Sequence, residues 1–122
     1  MNKNLIEKLL MMLISDSVEK TGFQYPLDTY MIVRCRDAGV WAGNYQSHNG
    51  REVIIKNGRR LYKWETLEAM TLSACAKYGI NDEKSKLSDA ISDNVLLSEF
   101  CELLPCTINA SLSISGAKKW EQ

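Results

Sequence analysis

The residues best suited to chemistry are four arginines and four aromatic side chains. Arg34 and Arg36 lie two apart, and Arg59 and Arg60 are adjacent. Trp41, Tyr45, Tyr62 and Trp64 fall in the same interval. Guanidinium forks onto phosphate oxygens with parallel hydrogen bonds, and aromatic faces stack on nucleobases. Both together on strands are the physical recipe for a nucleotide or single-strand binder. The competing reading is a solvated sheet face, because exposed arginines also protect strand edges and strand aromatics also fill cores. Catalysis is poorly supplied. The single histidine, His48, sits in a predicted hairpin turn without a nucleophile beside it in sequence, whereas nucleophilic catalysis needs a nucleophile, a base and an orienting partner within reach. No carboxylate pair, GxGxxG or GxxxxGK[ST] is present. The expectation is a binder and not an enzyme.

These side chains must be positioned by the stretch from Tyr30 to Trp64. Short β-branched and aromatic runs alternate there with DAG, HNG and NG. Asn-Gly supplies the positive φ that tight hairpins require. The pattern predicts an antiparallel meander with strands near 30–36, 40–47, 51–56 and 59–64. The first strand would put Ile32, Arg34 and Arg36 on one face and Met31, Val33 and Cys35 on the other. Gly39 and Gly43 bracket Val40-Trp41-Ala42 and leave room for a ligand near the backbone.

Around this sheet the sequence predicts helices. Leu5, Leu9 and Leu13 form one row at four-residue spacing, and Ile6, Leu10, Ile14 and Val18 a second, ending at Gly22. Met11 and Met12 widen the apolar surface beyond one face, so the helix either packs on the sheet or is shared with another subunit. A mid-chain helix is expected from a Thr66 cap to Gly79, and a short one from Thr107 to about Ser115. Between them, strands are expected at 86–91 and 94–104, the latter ended by Pro105. The tail from Gly116 is expected to be partly mobile. The fold class is therefore α+β: an N-terminal helix, an antiparallel meander of five to six strands, one mid-chain helix and one short C-terminal helix. At 122 residues with zero formal net charge, it is one domain (residues 1–22 helix, 30–107 core, 116–122 tail) without the basic footprint of a duplex-DNA binder. Cys35, Cys75, Cys101 and Cys106 show no CxxC spacing, so no metal site or cofactor is expected, and the thiols read as reduced. The apolar run Leu9–Ile14 is too short for a membrane span or secretory signal.

Three blocks, MIVRCRDAGVWAG, NGREVIIKNGRRLYKW and VLLSEFCELLPCT, occur in this order over roughly residues 30–107. Together they resemble the first type of Thoeris anti-defence proteins, the phage "sponges". The resemblance implies sequestration, without cleavage, of the cyclic ADP-ribose isomer made by bacterial TIR-domain sensors. It also implies action in the cytoplasm of the infected host. Cyclic di- or trinucleotides would be a second ligand class. Members form homodimers with ligand pockets at the interface, and some form hexamers through the N-terminal helix, here Leu5, Leu9, Met12 and Leu13. Residue by residue, the resemblance places Arg34, Ala38, Gly39, Arg59, Arg60 and Trp64 at ligand-binding positions. Cys35-Arg36-Asp37 stands where the family has Thr-Tyr-Ser, Trp41 where it has His, and Gly58 where it has Ala, so Arg36 and Trp41 would supply charge and stacking of their own. Lys84 and Asn94 complete the candidate set. The alternatives are a single-stranded nucleic-acid module and a ligand-free structural phage protein.

Overall fold

The computed structural model describes residues 24–66 and 70–120. The expected N-terminal helix, with its assembly residues Leu5, Leu9, Met12 and Leu13, lies outside the described residues. The fold is α+β. Six antiparallel strands, β1 (Tyr30–Cys35), β2 (Val40–Asn49), β3 (Glu52–Lys63), β4 (Lys86–Leu87), β5 (Val95–Ser98) and β6 (Phe100–Pro105), join two helices, α1 (Leu72–Tyr78) and α2 (Ile108–Ser115). The strand order is β4-β3-β2-β1-β6, and β5 also pairs with β3.

That last pairing shapes the molecule. β5 and β6 are separated only by Glu99, whose φ is 56°. The segment pairs with β3 before this kink and with β1 after it, so the sheet curls back on itself. One core fills the curl: Met31, Val33, Cys35, Tyr45, Val53, Ile55 and Leu97. A second core lies under the helices and contains Ile32, Val40, Ala42, Leu61, Cys75, Ala76, Leu87, Ile114 and Ala117. Successive residues of β1 thus feed the two cores alternately, as period-two geometry requires.

Several expectations are corrected. Asn57-Gly58 is not a turn. The third and fourth expected strands are one strand, β3, and Asn57-Gly58 together oppose the single residue Gly43, between the pairs Ala42↔Arg59 and Asn44↔Lys56. This is a β-bulge, with Asn57 at φ 57°. It reverses the parity of the strand. Val53 and Ile55 face the curl, whereas Arg59 and Leu61 face the helices. A Cβ at Gly58 would approach Ile55 Cδ1 to 2.9 Å, so the end of the Ile55 side chain would have to shift to admit one. The expected strand 86–91 shrinks to Lys86–Leu87 plus an isolated bridge between Ile91 and Gly58. The expected strand 94–104 is split at Glu99.

α1 is capped by Thr71, not Thr66, through Oγ1 accepting from the Ala74 N–H at 3.2 Å. It ends at Gly79 as expected, where φ is 91°. α2 starts at its expected cap, Thr107, which accepts from the Ala110 N–H and donates to Lys77 O, tying the two helices together. The tail is held through Trp120: Ala117 is buried, and the Trp120 N–H donates to Leu87 O at 2.8 Å, beside β4. Among the described residues, no helix is long and apolar enough to cross a membrane.

Candidate functional site

Arg59 shows best how the fold places a functional group. The bulge turns it toward the helix layer, where it is only 4% exposed. Its Nη1 donates to three carbonyl oxygens around the end of α2: Ile114 at 2.9 Å, Ser115 at 3.3 Å and Ala117 at 2.6 Å. Its Nε donates to Ser88 O at 2.9 Å. A helix C-terminus carries partial negative charge and unpaired carbonyls, and a guanidinium answers both. Among the described residues Nη2 has no acceptor.

Arg59 lines a groove of about 680 Å³ with Asp28, Thr29, Tyr30, Asn44, Asn57 and the α2 residues Ile108, Ser111, Leu112 and Ser115, together with Ala90 and Cys106. Small-molecule sites typically span about 300–1,000 Å³. Tyr30 supplies the second open donor, since its hydroxyl is buried and has no hydrogen-bond partner among the described residues. Burial, then the neighbouring Cys106, raises the tyrosine's pKa, against the opposing charge of Arg59. The phenol therefore stays neutral and keeps its proton to donate. Burial likewise pushes the Cys106 thiol up to about 12, so it is no nucleophile at neutral pH.

One rim of the groove is polar. Asn57 Nδ2 donates to Asn44 Oδ1 at 3.1 Å, and Asn44 Nδ2 donates to Asp28 O at 3.1 Å. The other rim is apolar: Ile108 is 81% and Leu112 69% exposed. The groove thus offers a cationic donor and a neutral donor within, amide edges on one side and a flat apolar wall on the other. Such a site can hold an anionic group and a planar ring.

Of the ten candidate residues from sequence, Arg59 lines this groove. Ala38, Gly39, Trp41 and Arg60 gather elsewhere, on the opposite face of the sheet. Trp41 opposes Arg60 in register and donates from Nε1 to Ala38 O at 3.0 Å. Arg60 lies against Gly39, where a Cβ would come within 2.9 Å of its Nη2, and over the Tyr62 ring at 5.4 Å. Arg34 shares the Ile32 face and its Nε donates to Glu102 Oε1 at 3.0 Å in an exposed ion pair. Arg36, Lys84 and Asn94 are exposed. Trp64 packs on the helix-side core and donates to Met70 O at 3.1 Å. The four arginines do not converge within one copy of the chain.

His48 is not an exposed turn residue. It lies in β2, half-buried, with Nδ1 2.8 Å from the Tyr45 hydroxyl, which donates to Gln24 Oε1 at 2.8 Å. Sequence reasoning missed Tyr30, Asn44, Asn57 and the α2 wall. The one available signal was Thr107 followed by Ile108 and Leu112 at helical spacing.

Residues 28–114 match the family described as a domain of unknown function, DUF6948, and the chain belongs to that family. No curated protein matches the chain, and no solved structure does. Among the described residues, no cluster of three or more His, Cys, Asp or Glu could hold a metal ion.

Proposed function

We propose that this protein is a non-catalytic sponge that sequesters a small cyclic nucleotide signal, a cyclic ADP-ribose isomer, in the groove between β1–β3 and α2. Cyclic di- or trinucleotides are a second ligand class. Its proposed setting is phage anti-defence against TIR-based immunity in the cytoplasm of the infected host, as the sequence resemblance implies. One observation carries the binding part of this reading. Tyr30, whose buried hydroxyl has no hydrogen-bond partner among the described residues, and Arg59, whose Nη2 has no acceptor among them, line the same groove. A buried donor left unpaired costs free energy, and a ligand acceptor recovers it.

In this reading Arg59 Nη2 and Tyr30 donate to a pyrophosphate oxygen. The adenine lies on Ile108 and Leu112, and Asn44, Asn57 and Asp28 meet the ribose hydroxyls and the base edge. Four carbonyls already offset part of the Arg59 charge, so enclosure must supply the remainder. A second copy of the chain across the apolar rim would provide it, consistent with a dimer. Nanomolar capture requires about 12 kcal/mol, within reach of a preformed, enclosed site.

The test is calorimetric titration with cyclic ADP-ribose isomers, followed by heat release and mass spectrometry. Tight stoichiometric binding with intact ligand recovered supports the proposal. Recovery of a hydrolysed product would make the protein an enzyme, and absence of binding to every cyclic nucleotide would end the reading.

A further inference from the structure

A second, separate surface combines stacking faces with cations that have no ion pair among the described residues. On β3, Leu61 pairs with Leu87 and Lys63 with Lys86, which leaves Tyr62 as the extra residue of a bulge. Bulges re-aim side chains, and Tyr62 is 52% exposed. Its ring lies 5.6 Å from that of Trp120, tilted by 57°, and Trp120 is fixed there by the backbone bond to Leu87. Arg60 sits over Tyr62 at 5.4 Å, and Lys86 Nζ over Trp120 at 4.8 Å. The result is a row of cation, ring, ring, cation along the edge of the sheet.

Its charge is unusual for a chain of zero formal net charge. Lys63 and Lys86 are directly opposite in register, an arrangement that is destabilising for like charges. Lys118 and Lys119 precede Trp120 in the sequence. The ion pairs of the described residues, Arg34–Glu102 and Arg51–Glu99, involve none of these cations. Asp82 lies beside the tail, its Oδ1 accepting from the Lys118 backbone N–H at 3.3 Å. Repelling cations held around two aromatic faces fit a polyanion that carries flat rings.

We propose that Arg60, Tyr62, Lys63, Lys86 and Trp120 form a stacking platform for single-stranded nucleic acid. Bases stack on Tyr62 and Trp120, and the flanking cations neutralise successive phosphates. The platform shares no residue with the groove.

The test titrates the full chain with fluorescein-labelled oligo(dT), and with a duplex of the same length, while following anisotropy and tryptophan fluorescence. Saturable quenching by the single strand is expected, lost in Trp120→Phe, with a log–log salt slope of about −2 to −3 for three or four phosphates. Tyr62→Ala should weaken binding by about 5- to 150-fold. The pair Lys63→Gln and Lys86→Gln should reduce the salt slope by about 1.4. Unquenched tryptophan at low salt, a duplex bound as tightly as the single strand, or full affinity in Tyr62→Ala would each overturn the proposal. Circular dichroism checks that the variants fold, and Tyr62→Ala decides if Trp120→Phe does not. Binding of a cyclic nucleotide in the groove should be unchanged in Tyr62→Ala, so either site can fail without the other.

Discussion

Replacing Tyr30 by Phe should make the protein more stable while making it a worse binder. The structure fixes the sign. The Tyr30 hydroxyl is buried and has no partner among the described residues, so folding strips it of water and returns nothing. Such an unmade bond costs about 1–3 kcal/mol. Phe keeps the ring, which packs beside the helix-side core, and removes only the oxygen. Allowing for the small void it leaves, the gain should be about 1 kcal/mol. For a chain of this size that is an upward shift in Tm of about 3–6 °C. Urea unfolding followed by circular dichroism measures it, with an unchanged m-value showing that only the native state is affected. In the same variant, affinity for the groove ligand should fall about 5- to 10-fold, as expected for one lost neutral hydrogen bond of about 1–1.5 kcal/mol. A loss of about 1 kcal/mol in stability would mean the hydroxyl makes a native bond, and the reasoning would fail.

Three further predictions follow from the fold. Arg59→Met should cost about 2–6 kcal/mol, because it strands the buried Ile114 and Ala117 carbonyls at about 1–3 kcal/mol each; chemical denaturation checks this, with Arg59→Lys intermediate. Arg34→Ala should change stability by less than about 1 kcal/mol in the same assay, since its partner Glu102 is a surface carboxylate. Alkaline titration should reveal the buried thiols: burial pushes Cys75 up to about 11 and Cys106 to about 12, from an ordinary 9.0. The folded state then holds protons that the unfolded state releases, so this stability is full below about pH 9 and is lost progressively toward pH 12. Unfolding midpoints that stay flat from pH 9 to 12 would contradict it.

The sequence made β1 and β2 legible because alternation and positive-φ residues act locally. Met31, Val33 and Cys35 share one core and Ile32 lies in the other, as read from parity alone. Asn57-Gly58 defeated the same logic. Positive φ serves a turn and a bulge equally, and only the partner strand decides which forms. The consequence reached the candidate site, because the bulge sends Arg59 to the helix side and Arg60 to the other. The burial of Arg59 depends on carbonyls around the end of α2, 55 to 58 residues away, beyond any local pattern. Thr66 and Thr71 are equally good caps in isolation, and the choice between them is made by packing. Tyr30 was invisible as a site residue because an unpartnered hydroxyl is a property of its surroundings.

The proposed activity is capture without reaction in the Tyr30–Arg59 groove. Its most direct measurement is crystallography of the protein incubated with a cyclic ADP-ribose isomer. The expected result is uncleaved ligand with a pyrophosphate oxygen in hydrogen-bond reach of Arg59 Nη2 and the Tyr30 hydroxyl. An empty groove with the ligand bound elsewhere, or an opened ring in the density, would contradict it.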